Sequence, residues 1–197
     1  MYNYFKLTLF DSVETNLMTL EPDVSKTIFH DYHVAAGGKI VPFAGYLMPV
    51  QYSEGIMEEH LHCRDNAGLF DVSHMGQVIV KGEGAAAALE RLMPVDLQSL
   101  KINQQTYATL TNEQGGVLDD LIVTCWTEDT FFLVVNAGCK EQDIAHIQKH
   151  LPDFEITYLA DRGLLALQGL LAKEVIAELV PEANALVFMN GGHASIE

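Results

Sequence analysis

The stretch GGVLDDLIV, residues 115–123, decides how the surrounding chain folds. Its glycines are typical of a turn between strands, and the apolar, partly β-branched run after them predicts a strand. Because side chains alternate across a strand, Asp119 and Asp120 are expected on opposite faces, Asp120 together with Leu118 and Ile122. A carboxylate among apolar neighbours is costly unless it is paired, hydrogen-bonded or used in chemistry. Either at least one of these aspartates binds a ligand, or both lie at an exposed strand end where one caps the turn.

Composition restricts the class of protein. The chain has 197 residues, of which 49% are hydrophobic, so it can bury one large core or two small ones. A formal net charge of −16 argues against nucleic acid and anionic membrane surfaces as partners. Three cysteines without metal or redox spacing suit a reducing compartment, and the first residues lack the layout of a signal peptide or a mitochondrial presequence. These features predict a cytoplasmic protein without a metal.

The order of the predicted elements indicates the fold class. Residues 1–26 show no clear period and are interpreted as an N-terminal extension, with residues 27–197 as the folded portion. Across residues 76–159 the pattern is strand, helix, three strands, helix, strand. This order predicts an α+β fold, in which a ferredoxin-like unit with an added strand packs with further mixed strands and helices.

A first polar cluster that could form an alternative site lies in residues 70–76. Asp71, Ser73 and His74 lie close together in FDVSHMG, residues 70–76, but adjacent residues in one connection do not give the geometry of a hydrolytic triad. A local hydrogen-bonded network that braces the connection is the favoured interpretation.

A helix is predicted over residues 53–67, with Ser53 as its N-cap and Ile56 on its buried stripe. It carries His60 and His62, but residues two apart on a helix point in different directions and do not easily share a metal ion. A solvated helix face is therefore favoured over a metal site.

Several stretches, taken in order, resemble the T-protein of the glycine cleavage system, the tetrahydrofolate-dependent aminomethyltransferase. The resemblance covers roughly residues 27–190, and the ordered set is far more specific than any one block. The blocks are GGKIVPFAG (37–45), MPVQY (48–52), FDVSHMG (70–76), TNEQGGVLDDLIV (111–123), VVNAG (134–138) and LALQG (165–169).

The resemblance implies a reaction. The T-protein takes the aminomethyl group carried on the lipoyl arm of the H-protein, transfers its methylene to tetrahydrofolate and releases ammonia. Matching of the motif implies that Asp120 is the aspartate that orients the folate and polarises the attacking nitrogen, while Asp119 points away to a structural partner. The other folate contacts that the family implies in this half are Met75, Tyr107 and Asn136, with the tyrosine stacking on the pterin and the amide bonding its polar edge.

The family continues beyond the point that corresponds to Glu197. The resemblance therefore implies the N-terminal portion of an aminomethyltransferase, and two alternatives stay open beside it. One is a truncated non-catalytic folate-binding or regulatory homologue, and the other is one part of a split enzyme. A relative that captures methylene from a demethylation is less favoured, because such relatives carry a flavin domain that this sequence does not show.

Overall fold

The computed structural model describes residues 24–195 as a mixed α/β chain. Its largest element is a five-stranded sheet, accompanied by a three-stranded and a two-stranded sheet. In chain order the elements are β1 (Ser25–Lys26), α1 (His30–Ala35), β2 (Ile40–Phe43), β3 (Tyr46–Pro49), α2 (Ile56–Asp65), β4 (Gly68–Asp71), β5 (Gly76–Lys81), α3 (Ala85–Glu90), β6 (Gln105–Thr111), β7 (Val117–Thr127), β8 (Thr130–Val135), α4 (Lys140–His150), β9 (Glu155–Tyr158), β10 (Leu165–Gln168), α5 (Ala172–Leu179) and a 3₁₀ helix (Pro181–Ala185).

The five-stranded sheet confirms the predicted ferredoxin-like unit. Its strand order is β6-β7-β8-β5-β9, and every pair in it is antiparallel. The four strands β9, β5, β8 and β7 have the ferredoxin-like arrangement, and β6 is the added strand at the edge beside β7. Short hairpins connect β6 to β7 and β7 to β8, so these strands pair with their neighbours in sequence.

One face of this sheet forms the core with α3 and α4. The alternation of strand residues places one set of apolar side chains on this face, and the helices cover them with their own apolar stripes. Each fully buried aliphatic or aromatic side chain stabilises the folded state by about 1.5–3 kcal/mol, because its apolar surface is removed from water. The fully buried large side chains are Phe131, Leu89, Met93, Leu97, Leu110, Leu133, Ile147, Leu151, Val78, Val80, Val123 and Val135.

The opposite face of the sheet is covered only in part. At β5 the buried Gln77 side chain donates hydrogen bonds to the carbonyl oxygens of Arg162 at 3.1 Å and Gly163 at 3.4 Å. That connection leads into β10, which pairs with β4 in a separate two-stranded sheet. Towards the other edge, Tyr107 of β6 is 65% exposed. The face is therefore closed over β5 and open over β6 and β7.

The predicted helix over residues 53–67 begins later and is more exposed than expected. Its N-cap is Gly55 with φ of +84°, a backbone conformation that suits glycine, so Ser53 is not the cap. Glu59 of the first turn reaches back and accepts a hydrogen bond from the Tyr52 backbone N–H at 2.6 Å. Ile56 is 53% exposed, and the expectation of a buried stripe on this helix is wrong.

The predicted N-terminal extension, residues 1–26, lies mostly outside the described residues. Its last part forms β1, in which Ser25 and Lys26 pair in parallel with Tyr46 and Leu47. Within residues 24–195, no helix is long and apolar enough to cross a membrane.

Candidate functional site

The glycine turn places the aspartate-bearing strand. Asn112 holds the turn, because its side-chain Oδ1 accepts hydrogen bonds from the backbone N–H groups of Gln114 at 3.0 Å and Gly116 at 2.8 Å. Gly115 has a φ of +77°, which a residue with a Cβ adopts only under strain. The turn therefore fixes where β7 starts relative to β6.

A β-bulge then changes the expected alternation at the start of β7. The pairing register shifts between Leu110 and Thr111, so that Leu118 has no partner of its own on β6. Leu118 consequently packs against the core, and its expected position on the face of Asp120 is wrong. Asp120 itself is exposed and pairs with Thr109 of β6.

Asp119 and Asp120 differ in their surroundings, as expected. Asp119 is half-buried on the core side of β7, and it has a hydrogen-bonding partner in Asn136 at the end of β8. The Asn136 backbone N–H donates to Asp119 Oδ2 at 3.3 Å, and its side-chain Nδ2 donates to Asp119 Oδ1 at 3.0 Å. The same Nδ2 donates to the Asp120 carbonyl oxygen at 2.9 Å and lies 3.4 Å from Asp120 Oδ1. Asn136 therefore ties the two aspartates together.

These contacts also orient the Asn136 amide. All the groups around Nδ2 are carboxylate or carbonyl oxygens, which only accept hydrogen bonds, so the amide nitrogen must point towards them. In the described part of the chain, the amide oxygen Oδ1 is left to accept a hydrogen bond from another molecule.

The other two predicted residues lie near this end of the sheet. Tyr107 is on the open face of β6, paired with Ile122, two residues along β7 from Asp120. Met75 is half-buried and directly precedes Gly76, the first residue of β5, which pairs with Val135. Strand register thus brings four residues from separate stretches to one region of the sheet: Met75, Tyr107, Asp120 and Asn136. Their roles in folate binding stay a prediction.

A buried lysine lies at the same end of the sheet, beside the first residue of β5. Lys140 begins α4 and is buried, and its ammonium donates to the Tyr46 hydroxyl and, at 3.1 Å, to the His74 carbonyl oxygen. The ammonium also lies 4.3 Å from the centre of the Tyr46 ring, within the range of a cation–π contact. Lys140 therefore links the hairpin of β2 and β3 to the large sheet beside the aspartates.

The FDVSHMG segment forms a hydrogen-bonded network that braces the connection, as the sequence predicts, and not a hydrolytic triad. Asp71 accepts hydrogen bonds from Thr27 Oγ1 at 2.6 Å, His33 Nε2 at 2.9 Å and the Ser73 backbone N–H at 2.9 Å. Ser73 Oγ is bonded to the backbone of Leu164 rather than to a histidine. The segment connects the N-terminal helix to β4 and β10 and holds no activated nucleophile.

One buried acidic residue, Asp143, was not identified from the sequence. Asp143, in the first turn of α4, is completely buried beside Asp119, and burial together with the Asp119 carboxylate raises its pKa to about 7. Its position could have been found from the periodicity of α4, since Lys140, Asp143, Ile147 and Leu151 form one buried stripe. An acidic residue on such a stripe is a signal of a specific partner.

Two further features do not join this site. His60 and His62 are both exposed, and within residues 24–195 no cluster of His, Cys, Asp and Glu is arranged to hold a metal ion. A groove of about 910 Å³ lies between α2 and β4, lined by residues that include Tyr52, Cys63 and Phe70. None of the four predicted site residues lines this groove, so it is a separate surface.

With this geometry, comparison with known proteins identifies the class. Residues 29–197 match the family described as the GCVT N-terminal domain, and the chain belongs to that family.

Particular relatives extend the comparison. The mitochondrial aminomethyltransferase of Mesembryanthemum crystallinum is 46% identical over 169 residues, which cover 82% of this chain and 41% of the relative. That of Pisum sativum is 43% identical over 178 residues, which cover 87% of this chain and 44% of the relative. The crystal structure of glycine cleavage system aminomethyltransferase T from Bartonella henselae matches with a TM-score of 0.82 and 42% identity, over 85% of this chain and 47% of that one. The chain therefore spans less than half the length of these relatives.

The comparisons also correct the predicted location. The expectation of a cytoplasmic protein is wrong, because the plant relatives are named as mitochondrial proteins, as is the relative from Schizosaccharomyces pombe.

Proposed function

We propose that this chain, over residues 27–197, is the tetrahydrofolate-binding N-terminal portion of an aminomethyltransferase of the glycine cleavage system. In this function the methylene of an aminomethyl group carried on the lipoyl arm of the H-protein passes to tetrahydrofolate, and ammonia is released. Family membership and the relatives named as aminomethyltransferases support the proposal. Tetrahydrofolate and the lipoylated H-protein are the proposed substrate and partner.

The observation that carries the proposal is the meeting of Tyr107, Asp120 and Asn136 on the open part of the sheet. Each offers what one portion of a pterin requires: an exposed aromatic ring for stacking, a solvent-exposed carboxylate to accept N–H hydrogen bonds, and an amide oxygen held in a fixed direction. Met75, beside the end of β8, is proposed to contact the pterin as well.

Asp120 is the proposed catalytic residue. Its carboxylate is anchored at the start of β7, where Asn136 bonds the Asp120 backbone oxygen and comes within 3.4 Å of Oδ1. From there the carboxylate orients the folate and accepts a hydrogen bond from the attacking nitrogen, which raises the electron density on that nitrogen as it bonds to the methylene carbon. A second folate nitrogen also bonds to this carbon, so two N–C bonds form while the C–S and C–N bonds break. The two protons from the folate nitrogens pass to the sulfur, which leaves as a lipoyl thiol, and to the amino group, which departs as ammonia.

Titration of tetrahydrofolate onto the 197-residue chain, followed by calorimetry, tests the binding step. Asp120→Asn keeps the size of the side chain but removes its charge, and we expect the dissociation constant to rise about 10-fold to 100-fold, since hydrogen bonds to charged groups contribute about 1.5–3 kcal/mol. Asp129→Asn is the matched control, because Asp129 is an exposed carboxylate in the turn between β7 and β8. Equal affinities for the two variants would remove Asp120 from the site.

Turnover separates the proposal from its alternatives. Aminomethyl-loaded H-protein and tetrahydrofolate are supplied to the chain, and released ammonia is measured. Folate binding without ammonia release favours a non-catalytic folate-binding homologue, an alternative that the coverage of less than half of each relative keeps open. Ammonia release that begins only when the remaining portion of a relative is added as a second chain favours one part of a split enzyme.

A further inference from the structure

The group from which we infer a new role is the carboxyl of Asp143, which lies under the proposed site. Asp143 has no exposed surface, and neither of its carboxyl oxygens accepts a hydrogen bond from any donor within residues 24–195. Its neighbour is Asp119, the residue that holds Asn136. A buried ionised carboxylate without donors beside a second carboxylate is strongly unfavourable.

The pair is stable if a single proton lies between the two carboxyls. Asp119 is only half-buried and already accepts two N–H groups from Asn136, which favours its charged form. Asp143 has no such donors, so the proton belongs on Asp143, which then donates it to Asp119. The raised pKa of Asp143, caused first by burial and then by Asp119, agrees with this assignment.

No charged group named below neutralises the two carboxylates in place of this proton. Lys140 lies one turn earlier on α4, but its ammonium is bonded to Tyr46 and His74. Glu141 is exposed on the same first turn, and the nearby Cys139 thiol has its pKa raised by Asp119 and by Asp143. On α4 further along, the pKa of His146 is lowered, chiefly by burial, so it offers no counter-charge at neutral pH.

We propose that Asp143 is a positioning residue that in its protonated form donates a hydrogen bond to Asp119, so that Asp119 holds the Asn136 amide with its oxygen directed to the ligand. The chain of contacts runs from α4 through β7 to the end of β8, and Asp143 itself touches no ligand. The effect of Asp143 on folate binding rests on the proposed function, because the role of Asn136 in folate binding belongs to that function. The proton shared by Asp143 and Asp119 can be measured without folate.

Loss of the Asp143 proton should loosen the site as pH rises. Two adjacent carboxylates then repel each other, and Asp119 ceases to be a fixed acceptor for Asn136. The affinity for tetrahydrofolate should fall about threefold to tenfold between pH 6 and pH 8, which lies in the weaker part of the range for coupling between groups in one hydrogen-bonded network.

The first arm of the test uses the ligand-free chain. Carboxyl carbons of aspartate are followed by NMR during a pH titration, with Asp143→Asn to assign the signal. We expect Asp143 to titrate near pH 7, to titrate at lower pH in Asp119→Asn, and to move the side-chain amide signals of Asn136 with the same midpoint. An Asp143 signal that titrates near pH 4, or Asn136 signals that do not follow it, would overturn the proposal.

The second arm compares two replacements of Asp143 by tetrahydrofolate titration at several pH values. Asp143→Asn keeps a donor towards Asp119, so it should retain affinity and abolish the pH dependence, whereas Asp143→Ala lacks the donor and should bind about threefold to tenfold more weakly. Glu141→Gln is the matched control and should keep the pH dependence of the native chain. Equal loss in Asn and Ala variants that remain folded by circular dichroism refutes the positioning role.

The two arms separate the inference from the proposed function. If the native chain binds no tetrahydrofolate at any pH, the proposed function fails, while the NMR titration still decides whether Asp143 holds the proton and fixes Asn136.

Discussion

Replacement of Asp71 by alanine should disconnect the N-terminal helix and its small sheet from the rest of the fold. The carboxylate side chain is only 2% exposed and accepts hydrogen bonds from Thr27, His33 and Ser73. Its removal leaves these donors without their acceptor. A hydrogen bond to a charged group contributes about 1.5–3 kcal/mol, but contributions within one network are not additive, so we expect a loss of about 3–5 kcal/mol in the free energy of unfolding.

Urea denaturation and hydrogen exchange measure this effect. Denaturation gives the loss of stability, and Asp31→Ala, an exposed acid on α1, is the control that should change it by less than about 0.5 kcal/mol. Hydrogen exchange should show early loss of protection in β2 and β3, while β7 and β8 keep theirs. A loss below about 1 kcal/mol, or uniform loss of protection across all strands, would refute the reasoning that Asp71 holds this region in place.

The same network predicts a pH dependence. Burial raises the pKa of Asp71, but hydrogen bonds from Ser73, Thr27 and His33 outweigh it, and the pKa lies below its ordinary value. The folded state therefore binds fewer protons at this site than the unfolded state does, so its contribution to stability is present above the ordinary aspartate pKa and is lost as pH falls through the lowered one. Asp71→Asn should flatten the acid side of the stability profile, which thermal melts between pH 2 and pH 6 would show.

Three further changes have distinct expected results. Gly76→Ala should lower stability by about 1–3 kcal/mol, because its Cβ would lie 2.6 Å from a valine methyl of β8, whereas Gly138→Ala has open space around it; equal melting temperatures would contradict this. Lys140→Met should lower stability by about 1–3 kcal/mol by removing the donor to the hydroxyl and carbonyl beside it, with Lys140→Arg retaining more; no difference in urea midpoint between the two variants would count against the link. Phe132→Leu should change the emission of Trp126, the single tryptophan, because the two rings stack 4.7 Å apart, and should cost about 0.5–1.5 kcal/mol; an unchanged spectrum would argue against the stack.

The sequence by itself determined the order of the elements in the main sheet and the place of the aspartates. An alternating pattern marks β5, a continuous apolar run marks β8, and the glycine turn before β7 is a local signal that depends on residues 112–116 alone. These patterns act over a few neighbouring residues, so they can be recognised without the fold. The resemblance in ordered motifs also indicated the family, which the match over residues 29–197 confirms.

The region where Asp120, Asn136 and Tyr107 meet depends partly on the sequence and partly on the tertiary structure. Their residue types and motifs were visible in the sequence, but their closeness depends on the register of β6, β7 and β8. Register is set by the pairing of whole strands, which no single stretch encodes. Their roles in binding and catalysis stay predictions.

Other features were decided only by the tertiary structure. The bulge that turns Leu118 to the core depends on how β6 and β7 pair, and the start of α2 depends on the positive φ of Gly55. The buried pair of Asp119 and Asp143 joins residues 24 positions apart, since helix α4 folds back onto the sheet beside the start of β7. A strand pattern and a helix pattern can each be found alone, but the energy of two carboxyls depends on the distance between them, and that distance exists only once the helix and the strand have packed.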